Sequence, residues 1–175
     1  VEFASGISIT GTEEFINNAR THLNTINETL SGELLLNEIS NSGHTITISE
    51  HPPGNGSWRP ANSDARFQNA DGTPGAGTNG TVRYDPNQTT MYDGSRPWMN
   101  TTPDTILFHE LAHASQGTRG MQETGTGANP SVAGGGGGTV NNRELQAVGL
   151  SGHGTGEWTE NDYRWETGQA EREWY

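Results

Sequence analysis

Two histidines with a carboxylate beside the first, His109-Glu110-Leu111-Ala112-His113, are the residues of this chain best spaced for chemistry. At 3.6 residues per turn, four residues advance about 400°, which sets both imidazoles on one helix face about 40° apart. Roughly 6 Å separates them along the axis, within reach of a single metal ion. Glu110 lies about 100° round from His109, beside such a metal and not on it. A general base for a metal-activated water is needed there. A catalytic zinc takes three protein ligands and keeps one position open, so this pair requires a third. A histidine six residues after His113 would stand at position 119, which is Arg119, so the third ligand must come from another element.

The helix that carries the pair announces itself through Thr102-Pro103-Asp104, a cap, a first-turn proline and an early acid, and should end at Gly117 or Gly120. Ile106, Leu107, Phe108, Leu111, Ala112 and Ala114 make it apolar nearly all round, which marks an interior helix. Buried imidazoles need partners, and one metal satisfies both. Asn142 opens a further helix to about Leu150, on which Leu145, Ala147 and Val148 flank Glu144 while Arg143 and Gln146 face away. An inward carboxylate is costly unless paired or ligated, so Glu144 is the favoured third ligand. His153, Glu123, Glu157 and Asp162 are its rivals, and His153 lies in a glycine-rich loop.

Elsewhere, Phe15, Ile16, Ala19, Leu23, Ile26 and Leu30 predict one amphipathic helix over Thr10 to Leu30, with a short second helix over Leu34 to Ile39. His44 to Ser49 alternates as a strand, residues 52–80 read as a long surface loop, and Thr81 to Tyr84 reads as a short strand. The five glycines from Gly134 to Gly138 predict a mobile loop, and Thr159 to Tyr175 predicts a last helix. The expected fold is α+β, one zincin-like domain over residues 1–175 with a small sheet, an active-site helix and much loop.

Composition narrows the function classes. Only 29% of the 175 residues are hydrophobic and 25 are glycine, so a bound metal would help offset a thin core. A net charge of -12 disfavours nucleic acid and anionic lipid as partners. The absence of cysteine excludes disulfides, thiol nucleophiles and cysteine-ligated metals. No apolar run approaches the ~20 residues of a membrane span, and the first residues lack a signal-peptide pattern. A monomer is expected.

Thr81-Val-Arg-Tyr-Asp-Pro-Asn87, His109 to Ala114, Arg119-Gly120, Asn142 to Leu150 and Thr159 to Arg164 through Trp174-Tyr175 together resemble the NleD-like effector zinc metallopeptidases. The resemblance covers about residues 81–175 and, more loosely, the Ile7 to Gly11 segment. It departs in the glycine run and in the missing proline after Gly168. It implies His109 and His113 as zinc ligands, Glu110 as base and Glu144 as third ligand. It also implies a secreted protease, an effector or toxin delivered into a target cell by a bacterial secretion system and involved in virulence. Its partners would be a protein substrate there, with a secretion-system carrier or a cognate inhibitor.

The expected reaction is hydrolysis of peptide bonds at a limited number of exposed sites. The developing oxyanion needs a donor besides zinc, for which Tyr163, Arg164, His153 and Tyr175 are candidates. The strand Thr81, Val82, Arg83, Tyr84 is the candidate to bind extended peptide by backbone pairing. An acidic surface is expected to favour basic or neutral segments. The alternative is a noncatalytic, acidic, glycine-rich adhesive or metal-binding module, hinted at by Asp71-Gly72 and Asp93-Gly94.

Overall fold

In the computed structural model, which describes residues 1–175, strands β1 (Glu2–Ala4), β2 (Ile7–Ile9), β3 (Ile46–Glu50), β4 (Gly56–Pro60) and β5 (Gly80–Tyr84) form one mixed sheet. The strand order is β1-β2-β3-β5-β4. The three inner strands run parallel, and β1 and β4 are antiparallel edges. Period-two alternation gives the sheet one apolar face: Ile7 stands beside Ile46, Ile9 beside Ile48, and Ile48 beside Val82, all buried. Helices α1 (Glu13–Asn27), α2 (Leu30–Asn41) and α3 (Pro103–Thr118) bury their apolar residues in the same core, and the class is α+β. No helix is long and apolar enough to cross a membrane.

The predicted helix over Thr10 to Leu30 is two elements. Thr12 is the N-cap of α1, accepting from the Phe15 amide at 3.2 Å, and the chain leaves the helix at Glu28. Thr29 caps α2 through the Gly32 amide at 3.0 Å. The Glu166 carboxylate, far along the chain, accepts from the Leu30 and Ser31 amides at 2.7 and 2.9 Å. The local sign of the break is Thr29, which the apolar spacing from Ile26 to Leu30 overrode, so Leu30 opens the second helix where the apolar pattern ran on.

Two further readings are corrected at the sheet. Residues 52–80 are not all loop, since they contain β4. The segment Thr81, Val82, Arg83, Tyr84 is not a free edge: it pairs with β3 on one side and β4 on the other, so its backbone has nothing left to offer a substrate. The edge on this side of the sheet is β4. Its register fixes which groups are free. Asp85 N–H donates to Asn55 O, and Ala61 N–H donates to Asn79 O, so the odd-numbered residues of β4 face β5. Antiparallel alternation then turns the backbone groups of Gly56 and Trp58 outward, where the Gly56 N–H is already taken by Asn55 Oδ1 at 2.9 Å.

After α3 come β6 (Thr126–Ala128), β7 (Ser131–Val132), β8 (Gly135–Gly136) and β9 (Thr139–Asn141), which form two small antiparallel ribbons. The glycine run is therefore part of an ordered hairpin. A Cβ at Gly136, whose φ is +78°, would meet the Pro130 carbonyl at 2.1 Å, with Trp174 close behind. Helix α4 (Asn142–Val148) ends at the left-handed Gly149, and α5 (Glu160–Glu166) is much shorter than the predicted tail helix. Residues 167–175 instead run without regular structure over the core, pinned by side-chain bonds described below.

Helix α3 is the element on which the site is built, and nearly all its residues from Thr105 onward are buried. Strand β4 lies close to it because two glycines permit the approach. A Cβ at Gly117 would stand 2.8 Å from Trp58 Nε1, and one at Gly56 would stand 2.7 Å from Glu110 Oε1. Gly117→Ala should therefore push Trp58 and its strand off α3, lowering unfolding free energy by about 1–3 kcal/mol. Urea denaturation checks this: a midpoint equal to that of the unmodified protein would mean that the approach is not tight.

Candidate active site

His109, His113 and Glu144 converge from α3 and α4, with ligand atoms all within 4.8 Å of one another. Glu144 Oε2 lies 2.8 Å from His113 Nε2 and 3.7 Å from His109 Nε2. These separations bracket the roughly 3.4 Å expected between neighbouring ligands on a tetrahedral zinc, given bonds near 2.1 Å. Helical spacing brings the imidazoles together with ring centroids 4.8 Å apart, as a four-residue separation requires.

Charge balance makes the same point. Burial works against ionised Glu144, yet His113 and His109 hold it well below the usual carboxylate range. Burial also opposes a charged His109, but Glu144 and Glu160 push it up to about 10. The cluster is thus built to enclose positive charge, and a divalent cation supplies that charge in place of protons. Two imidazoles and one carboxylate, with no thiolate, suit zinc among common metals.

Glu160, which the sequence reading did not single out, completes this arrangement. It is fully buried and accepts from His109 Nδ1 at 2.8 Å, Arg164 Nε at 2.7 Å and Arg172 Nη1 at 3.3 Å. Burial opposes its charge, but Arg172, Arg164 and the His109 hydrogen bond hold its carboxyl well below the usual range. An ionised carboxylate only accepts, so the His109 proton sits on Nδ1 and Nε2 is free for a metal. The sequence signal is faint: an acid after the Thr159 cap looks like any helix-entry acid. His113 has no counterpart to Glu160, since its Nδ1 is buried without a partner.

Glu110 is buried and does not point at the other three. Burial raises its carboxyl above the ordinary range, Glu144 and Glu160 add to this, and the two imidazoles oppose it. It stands at the junction of two cavities. One, of 180 Å³, reaches Ser57, Trp58, His113 and Glu144; the other, of 320 Å³, reaches Asn55, Met91, Ile106 and His109. Gly56, Glu110 and Tyr175 line both, so the free edge of β4 runs along the cleft and past the carboxylate.

Of the four residues considered as oxyanion donors, only Tyr175 lines the cleft. Tyr163 packs on Phe108 at 4.6 Å and donates to Asp104 at 2.5 Å. Arg164 is enclosed, spent on Glu160 and on the carbonyls of Trp98 and Ala170. His153 pairs with Glu123 on the rim of the small ribbons. The remaining rival ligands are also committed, Glu157 to Arg119 and Asp162 to the Thr159 cap. Asp71 and Asp93 close local turns through Thr73 and Ser95, which accounts for both aspartate-glycine turns. Tyr175 is clamped by Asn129, which donates to its carbonyl at 2.6 Å and accepts from its amide at 2.8 Å. Its ring lies 6.0 Å from the His109 ring, with the Arg172 guanidinium 4.5 Å over it. Burial, the Glu144 charge and a hydrogen bond towards Glu144 push its phenol above the ordinary range, so it keeps its proton.

Glu160→Gln should weaken zinc affinity about 10- to 100-fold, because the amide no longer fixes the His109 tautomer. It should also destabilise the fold by roughly 3 kcal/mol, because Arg164 and Arg172 lose their counter-charge. Competitive metal titration and denaturant unfolding read the two effects separately. Unchanged affinity in the folded variant would detach Glu160 from the metal site.

Comparison with known proteins agrees with this geometry at the level of family. No curated protein matches the chain closely enough to count as a relative. The family model Peptidase_M91, described as "Effector protein", matches residues 4–175. The match spans nearly the whole chain, both ribbons and the irregular tail included, and the protein belongs to this family of NleD-like effector metallopeptidases.

Proposed function

We propose that this protein is a zinc-dependent endopeptidase that cuts proteins of a target cell at a limited number of exposed sites. The observation that carries this reading is the position of Glu110, a buried carboxylate between a three-ligand cluster and the free strand edge at Gly56. His109, His113 and Glu144 would hold the metal. Zinc, when bound, supplies a Lewis acid that polarises the scissile carbonyl and makes water a nucleophile near neutral pH.

The chain's own residues do the rest. The outward Gly56 carbonyl and the backbone groups of Trp58 pair with an extended peptide and set its carbonyl beside Glu110. Glu110 accepts a proton from the attacking water and returns it to the leaving amine. Burial holds its carboxyl above the ordinary range, which favours its taking up that proton. Tyr175 donates its phenolic hydrogen to the developing oxyanion. Cavities on both sides of Glu110 leave room for chain beyond the cut in each direction, which favours internal cleavage over trimming of ends. Membership of an effector family supports a protein target in another cell, reached through a bacterial secretion system.

Glu110→Gln should abolish turnover while zinc content and fold remain near normal, because the amide keeps the shape but accepts no proton. Terminal-peptide mass spectrometry of eukaryotic and bacterial lysates treated with each protein provides the readout. Fragments made equally by both proteins would remove Glu110 from the mechanism, and no differential fragment in either lysate would refute the peptidase.

Tyr175→Phe should lower kcat about 100-fold with KM and zinc affinity little changed, as for the loss of one oxyanion donor. A kcat within threefold of the parent would assign oxyanion stabilisation elsewhere.

A further inference from the structure

The two arms of the cleft differ in chemistry. In the arm beside His109, the one arginine is spent: Arg172 is bonded to Glu160, to the Trp174 carbonyl and to the Tyr92 hydroxyl. The rest of that arm includes Met91, Tyr92 and Ile106. In the arm beside His113, two arginines, Arg66 and Arg143, line the cavity with donors to spare. Arg66 makes no ion pair and donates no hydrogen bond within the protein, and its Nε is buried without a partner. Its guanidinium lies 4.5 Å over the Phe67 ring, which orients the plane. Arg143 has only a loose contact, 3.5 Å from Nε to Glu144 Oε1. Ser57 Oγ, Trp58 Nε1 and Gln122 Oε1, from the same cavity wall, are also buried without partners.

Cations without partners beside one another are costly. Burial and the positive charge of Arg143 both press against the charge on Arg66, with only part of this relieved by Glu144 and Asp64. All nine basic residues of the chain are arginines, against 21 acids, so acceptors were plentiful. A surface this acidic has had every opportunity to neutralise Arg66, yet the side chain is held apart inside the cleft. An anion placed between the two guanidinium groups removes their repulsion and uses their free donors.

We infer that the arm of the cleft beside His113 is a subsite for an anionic side chain of the bound peptide, held by Arg66 and Arg143. The shared chemistry is a carboxylate or a phosphate a few residues from the bond that is cut. This reverses the expectation that the acidic surface selects basic segments. Surface charges act over a Debye length of about 8 Å at physiological salt, whereas the two arginines act at contact. The net charge slows the approach of an acidic peptide, and the subsite decides which residue stays. The term substrate rests on the peptidase reading above, but the binding preference does not.

The test uses a pool of acetylated and amidated decapeptides whose positions carry Glu, Gln, Leu, Lys or phosphoserine. Capping removes the terminal carboxylate as a source of charge. The pool is passed over immobilised, zinc-loaded Glu110→Gln protein, and retention is read by mass spectrometry. Peptides with Glu or phosphoserine at one position should be retained about tenfold over their Gln or Lys counterparts. The preference should vanish in Arg66→Ala, turn towards Lys in Arg66→Glu, and persist in Arg20→Ala, which removes an exposed charge on α1. Stronger retention of phosphoserine than of Glu identifies a phosphorylated segment, and the converse identifies an acidic one. Equal retention of Glu, Gln and Lys, or a preference that survives both Arg66→Ala and Arg143→Ala, overturns the subsite. Cleavage of the same pool by the unmodified protein separates the two readings. Cuts without acidic enrichment would refute the subsite and keep the peptidase, while retention without cuts would do the reverse.

Discussion

Glu160 is enclosed by protein and still ionised, and that state exists only because three donors from separate segments close on it together. His109 comes from α3, Arg164 from the other end of α5, and Arg172 from the tail. Two cations and a carboxylate of this burial would each cost several kcal/mol alone, so the cluster forms whole or not at all. Its consequences extend beyond charge. Arg164 reaches the carbonyls of Trp98 and Ala170, and Arg172 reaches that of Trp174, so the cluster fixes the path of the tail. The same balance therefore aims the His109 imidazole and delivers Tyr175 beside it. The imidazole of a candidate metal site and its nearest phenol are set by one buried ionic knot.

The parts of this site that were legible in the sequence are those whose physics is local. Helical spacing alone brings His109 and His113 to one face, and the apolar residues around them mark α3 as interior. Glu144 was legible for a related reason, since Leu145, Ala147 and Val148 put its helix against the core, but Arg143 and Gln146 do not face away as expected: Gln146 is buried on Met121 and Glu123, and Arg143 lines the cavity with Glu144. Glu160 was not, because its role depends on Arg172 and on His109, neither of which is near in sequence. Tyr175 was visible only as one of four donors, and what separates it from Tyr163 is which side of the core each reaches. The α1–α2 break was half hidden for the same cause, since Glu166 shares the capping with the local Thr29.

Strand β4 shows a different obstacle. Gly-Ser-Trp-Arg-Pro offers little β propensity, and glycine and proline at its ends read as turn. Both residues have a positive reason to be there. Proline is tolerated at the end of an edge strand, where its missing N–H breaks no ladder, and it blunts further pairing. Glycine is required where the Glu110 carboxylate rests against the strand, because any side chain would occupy that space. The residues that disguise the strand are thus those that make it an edge and let it reach the carboxylate. Propensity failed where the site imposed its own constraint.

Average charge and local charge also part company, and the cleft shows why an average misleads. A net -12 describes what a distant partner meets, and it disfavours polyanions wrapped over the surface. Inside the cleft the relevant quantity is which donors remain unspent once the fold has formed. Arg119 is taken by Glu38 and Glu157, Arg96 by Glu173, and Arg164 and Arg172 by Glu160. Arg20, Arg59 and Arg83 make no ion pair either but do not line the cleft, whereas Arg66, also without an ion pair, and Arg143, with only the long contact to Glu144, do. Those two cations line the cavity beside His113 and Glu144, where an anion brought from outside would meet donors that the fold leaves unspent.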